Sequence, residues 1–72
     1  MKKTFELEDL DCAHCAQKMQ DAIAKIEGVD SVSVNFLAQK MTLEAADDKF
    51  DAILKEAIKT IAKVEPDCQV IL

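Results

Sequence analysis

Cys12 and Cys15 stand three positions apart in Asp11-Cys12-Ala13-His14-Cys15, with a carboxylate directly before the first sulfur and the chain's only histidine between them. Thiolates are nucleophiles and soft metal ligands. A single turn of chain between two cysteines lets both sulfurs face one point. The stretch follows an alternating pattern and opens a helical one. A helix N-terminus lowers a thiol's pKa, because its unpaired N–H groups and positive dipole end favour the anion. The chemistry open to the pair is metal capture or thiol–disulfide exchange. A third cysteine, Cys68, lies far along the chain. An odd number of cysteines, two of them close together, reads in a reducing compartment as metal or redox chemistry rather than a disulfide framework.

The neighbouring residues carry two readings each. Asp11 is a third ligand or a helix N-cap, and it could alternate between the two roles in the loaded and empty states. His14 carries an imidazole, a good zinc ligand. The middle positions of such a turn point outward when both sulfurs converge, so its other reading is an exposed side chain that meets a partner. Cys68 shares the inward register of Val70 and Leu72, where free cysteine packs as a small hydrophobe; as a ligand it would be a third sulfur. Met19 and Met41 fall on apolar stripes and are structural. There is no P-loop, Ser-His-Asp set, phosphorylated-Asp motif or Gly-rich loop, so only the thiols offer reactive chemistry.

The elements that must hold the pair follow from periodicity. Lys3 to Glu8 alternates, Phe5 and Leu7 against Thr4, Glu6 and Glu8, which predicts a half-buried strand. Asp9 to Cys12 is a loop. From about Ala13 the period becomes helical: Cys15, Met19, Ala22 and Ile26 form a stripe with Ala16 and Ile23 beside it, and Gly28 is the stop. Val32, Val34 and Phe36 alternate as a second strand. Leu37-Ala38-Gln39 connects it to a third, in which Met41, Leu43 and Ala45 alternate, and the two predict a hairpin. Asp47-Asp48 offers an N-cap to a second helix, whose wide stripe is Phe50, Ile53, Leu54, Ala57, Ile58 and Ile61. Pro66 ends it, and Cys68, Val70 and Leu72 alternate as a last strand. The order β-α-β-β-α-β predicts an α+β fold. A four-stranded antiparallel sheet with two helices on one face, the ferredoxin-like arrangement, buries every stripe at once.

Length and composition bound the function. Seventy-two residues make one small domain. A net charge of −5 opposes nucleic acid and anionic membrane surfaces, and suits a cationic ligand or basic partner. No apolar run reaches the length of a membrane span, and Met1-Lys2-Lys3-Thr4-Phe5-Glu6 lacks the apolar segment of a signal peptide. The expectation is a cytoplasmic domain, monomeric, without direct membrane insertion.

Asp11-Cys12-Ala13-His14-Cys15 at the first strand–helix junction of this topology, followed by Ile26-Glu27-Gly28-Val29-Asp30-Ser31-Val32-Ser33-Val34-Asn35, resembles the heavy-metal-associated domain. The resemblance covers essentially all of residues 1–72. Its members are soluble copper chaperones, mercury-binding proteins and the N-terminal domains of heavy-metal-transporting P-type ATPases. It implies that Cys12 and Cys15 are the metal-binding cysteines. Asp before the first cysteine is similar to the zinc, cadmium and lead ATPases, whereas copper members more often have Thr or His there. Two departures stand out. Asp9-Leu10 replaces a frequent Gly-Met, and the late loop Val64-Glu65-Pro66-Asp67 is acidic where the family often carries Lys, Tyr or Phe.

Charge then suggests the metal. Two thiolates with Cu(I) leave −1, and the Asp11 carboxylate would make this −2; the same three ligands around a divalent ion leave −1. A hard oxygen also suits Zn(II) or Pb(II) better than Cu(I), which favours soft two-coordinate sulfur. Zn(II), Cd(II) or Pb(II) is therefore expected over Cu(I). Three ligands leave a position open, which suits transfer by ligand exchange. The expected partner is a metal donor or acceptor protein, or the transmembrane part of the domain's own transporter, most simply a heavy-metal-exporting P-type ATPase. A free-standing Cu(I) or Hg(II) chaperone, or a small thiol–disulfide redox protein, is the alternative. The domain itself is expected to be non-catalytic.

Overall fold

A computed structural model describes residues 1–72. The elements are β1 (Lys2–Glu8), α1 (Ala13–Ala24), β2 (Val29–Asn35), β3 (Lys40–Ala45), α2 (Phe50–Val64) and β4 (Gln69–Ile71). The strands form one antiparallel sheet in the order β2-β3-β1-β4. Each helix thus crosses over a strand between its own two flanking strands. β1-α1-β2 encloses β3, and β3-α2-β4 encloses β1. These two interlocked crossovers make the ferredoxin-like fold.

The alternation seen in the sequence is the alternation that is buried. Leu7, Met41, Leu43 and Ala45 point inward from the two central strands, while Thr4 and Thr42 meet on the outer face, hydroxyl to hydroxyl at 3.1 Å. Over the inner face lie Ala16, Met19 and Ile23 of α1 and Phe50, Ile53, Ala57 and Ile61 of α2. Phe5 stacks on Phe50, with ring centroids 6.5 Å apart, and ties the start of α2 to the sheet.

Four local expectations are corrected. The buried stripe of α1 centres on Ala16, Met19 and Ile23, with Cys15 and Ala22 on its half-buried flank. α1 ends at Ala24, before Gly28; the Lys25 N–H bonds back to Ala22 and Ile23 and tightens the last turn. Gly28 instead sits in the turn to β2 at φ +97°, and a Cβ there would lie 2.7 Å from Cδ1 of Ile53. Asp47 and Asp48 do not cap α2, which starts after Lys49 with no side-chain cap bond. The Asp47 carboxylate is drawn to the terminal ammonium of Met1 at 2.7 Å. Finally, β4 begins at Gln69, so Cys68 lies buried just outside the strand, and Leu72 is 83% exposed rather than inward.

The register places the site. β1 runs toward its pairing of Glu8 with Gln69 and of Glu6 with Lys40. The end of β1, the turn between β2 and β3, and the approach to β4 therefore meet at one end of the sheet.

Candidate metal centre

At that end the chain leaves β1 through Asp9, whose φ is +61°. Only a few residue types hold this left-handed conformation readily, Asp among them. The turn drives Leu10 into the core at 3% exposure, where it plugs the loop from below. Leu10 gets its polar partners from the side chain of Gln39: its N–H donates to Oε1 at 3.2 Å and its carbonyl accepts from Nε2 at 2.8 Å. The loop then rises through exposed Asp11 to Cys12.

Cys12 is the N-cap of α1. Its φ of −133° and ψ of 121° are extended, and its carbonyl accepts the first helical bond, from Ala16 N–H at 3.0 Å. Ser, Thr, Asp and Asn usually fill this position because an oxygen there can accept an unpaired amide. Here sulfur does so: Cys15 N–H donates to Cys12 Sγ at 3.3 Å. This bond, then the adjacent Cys15 thiol and the His14 amide, hold the Cys12 thiol below its ordinary pKa of 9.0. Cys15 moves the other way. Its bond to Cys12 and partial burial raise its thiol, with Glu65 adding repulsion and Lys18 opposing it. Cys12 is thus the readier of the pair to give up its proton and Cys15 the slower. That division suits stepwise capture of a thiophilic cation, with the first sulfur ready and the second deprotonated as the ion arrives.

The other sequence candidates are placed as follows. Cys12 and Cys15 come together and are both free and half-buried. Asp11 and His14 are exposed beside them. Cys68 is buried at 5% exposure, and burial, Glu65, Asp9 and Asp11 push its thiol above the ordinary range. No group of three or more His, Cys, Asp or Glu side chains is gathered closely enough to hold a metal ion. The sulfur pair is therefore the part of the expected ligand set that the fold preassembles, and Asp11, His14 and Cys68 are not drawn onto it. Glu65 is the acidic neighbour whose field reaches all three thiols. Its loop is acidic in the sequence. Its proximity to Cys12 and Cys15, about fifty positions away, is set by the crossover and carries no local signal. Gln39 likewise carries no sequence signal, because its contact with Leu10 spans 29 positions.

The profile of the heavy-metal-associated domain matches residues 4–66. The cadmium, zinc and cobalt-transporting ATPase of Bacillus subtilis is 27% identical over 66 residues, which cover 92% of this chain and 9% of that protein. The copper chaperone CopZ of Bacillus subtilis is 33% identical, covering 92% of this chain and 87% of that one. Among solved structures, the Cu(I)-loaded N-terminal domain of a potential copper-translocating P-type ATPase from Bacillus subtilis superposes with a TM-score of 0.78 at 28% identity, over 99% of this chain and 84% of that one. The chain spans about a tenth of the ATPases it resembles, at 9% of their length. No helix is long and apolar enough to cross a membrane. With its fold, its sulfur-capped first helix and the match over residues 4–66, the chain belongs to the heavy-metal-associated domain family, whose members bind heavy-metal ions, interact with metal donor or acceptor proteins or ATPases, and are not themselves catalytic.

Proposed function

We propose that Cys12 and Cys15 capture a divalent thiophilic ion, Zn(II), Cd(II) or Pb(II), and pass it on by ligand exchange within a heavy-metal-exporting P-type ATPase. The observation that carries the reading is the Cys15 N–H bond to Cys12 Sγ at 3.3 Å, which favours the anion of one sulfur at the mouth of an exposed loop. Asp11 supplies the third ligand by turning over the loop as the ion arrives; it is exposed and adjacent to Cys12, so nothing packed has to move. The field of Glu65 at the pair favours the higher charge of a divalent ion, and the exposed Asp11 adjoins Cys12 in the chain. His14 remains available as an alternative nitrogen ligand, and Cys68, buried and protonated, is a reserve sulfur at most. An open coordination position admits an incoming thiolate before the outgoing one leaves, so no bare ion is released.

A Cu(I) chaperone is the second reading. Two-coordinate sulfur asks for no third donor, and the fold gathers only the sulfur pair. The likeness to a copper chaperone over nearly its full length supports it. Competition among Zn(II), Cd(II), Pb(II) and Cu(I), followed by native mass spectrometry on the reduced domain, separates the two. The expected result is preferential loading with a divalent ion, eroded about tenfold or more in Asp11→Ala. Preferential loading with Cu(I), unchanged in Asp11→Ala, decides for the second reading.

A further inference from the structure

We propose that Gln39 is the positioning residue of the thiol loop, its carboxamide standing in for a missing strand beside Leu10 and thereby setting where Cys12 and Cys15 are held. The inference rests on metal binding by those two cysteines.

The ladder between β1 and β3 runs as far as Glu6 opposite Lys40, and one further bond joins Leu7 N–H to the Gln39 carbonyl at 2.8 Å. Beyond it both chains turn away through left-handed residues, Asp9 at φ +61° and Gln39 at φ +54°. Leu10 is nevertheless buried, and no backbone group pairs with its peptide. A buried peptide without partners is strongly disfavoured. The Gln39 side chain removes the conflict. A carboxamide has the donor and acceptor geometry of a peptide bond, and here it meets Leu10 on both sides, at 3.2 Å to the N–H and 2.8 Å to the carbonyl. The second Nε2 hydrogen is used as well, donated to the Phe36 carbonyl at 2.8 Å, which fixes the amide against its own turn. The metal loop is thus fastened at Leu10 to the β2–β3 turn, as well as at Cys12 to the helix it precedes. Leu10 lies two residues before Cys12, so freeing its peptide lets the first sulfur drift from the geometry that one ion requires.

Two substitutions isolate the carboxamide. Gln39→Met keeps length and removes every polar contact. Gln39→Asn keeps an amide and tolerates positive φ, but falls one methylene short. Ile53→Val, in α2 away from the loop, serves as a control for general destabilisation. Three quantities are read on the reduced domain: Cd(II) affinity by chelator competition, Leu10 amide exchange by NMR, and thermal midpoint. Gln39→Met is expected to speed Leu10 exchange and to weaken Cd(II) binding about tenfold. Gln39→Asn should fail to restore either, and Ile53→Val should lower the midpoint without changing Cd(II) affinity. Wild-type Cd(II) affinity in Gln39→Met, or an equal loss in Ile53→Val, overturns the proposal. If the wild type itself takes up no Cd(II), the metal reading falls, and unchanged Leu10 exchange in Gln39→Met would separately refute the clamp.

Discussion

The two helices of this domain begin in opposite ways. α1 starts on Cys12, whose sulfur accepts an amide of the first turn, and that turn holds no acidic side chain. α2 starts on Lys49 with no side-chain cap, carries Asp51 in its first turn, and is held instead by Phe50 buried against Phe5. The positive end of α2 is answered by a permanent carboxylate; that of α1 is left for a thiolate and whatever the thiolate binds. A helix start can be spent on packing or on chemistry. Here the two uses fall at opposite ends of the sheet.

The largest break in that contrast comes from exchanging both sulfurs. Cys12→Ser with Cys15→Ser should abolish Cd(II) uptake in a spectroscopic titration while leaving the thermal midpoint nearly unchanged, because a serine hydroxyl caps a helix well. Phe50→Ala is the converse. It should cost about 3–5 kcal/mol in denaturant unfolding and leave Cd(II) affinity intact wherever the domain remains folded. An intermediate effect is expected at Gly28→Ala. The positive φ and the 2.7 Å approach to Ile53 Cδ1 should cost about 1–3 kcal/mol, read in the same unfolding experiment.

The pH dependence sharpens the comparison further. The folded Cys12 thiol titrates below its ordinary value, so its contribution is present above 9.0 and is lost as pH falls through the depressed value. Cys15 and Cys68 titrate above it, so their contributions are full below 9.0 and are lost as pH rises through the raised values. Metal-free stability should therefore climb on approaching pH 9 from below and fall beyond it, with Cys12→Ser removing the climb and leaving the fall. Iodoacetamide should modify Cys12 before Cys15 at neutral pH. The smallest effect is reserved for charge at the two first turns. His14→Asp would give α1 the carboxylate that α2 has. It should stabilise the helix by about 0.3–1 kcal/mol while slowing alkylation of Cys12, and Asp51→Ala should lose a similar amount with no change at the thiols.

How much of this was legible along the chain depended on how far apart the interacting residues lie. The strands of Phe5-Leu7 and Met41-Leu43-Ala45, and the stripe from Phe50 to Ile61, are local periodicities, and the fold buries them as written. The sulfur pair is equally local. Ends were harder to place. Gly28 marks a turn with a need for positive φ, yet α1 stops at Ala24, and Asp47 has the right chemistry for a cap but a stronger partner in the Met1 ammonium. Least legible were the residues around the site. Gln39 is an ordinary polar side chain until the crossovers bring its turn beside Leu10, and Glu65 is placed near the site only through the family resemblance of its loop.

That last distance has a consequence for how the domain is made. Synthesis delivers both sulfurs well before Gln39, and the amide that braces their loop follows Leu10 by 29 positions. Until the hairpin emerges, the young chain presents two free thiols on an unbraced segment, open to premature oxidation or to scavenging the wrong ion. On the proposed clamp, fidelity of loading would be tied to completion of the second and third strands.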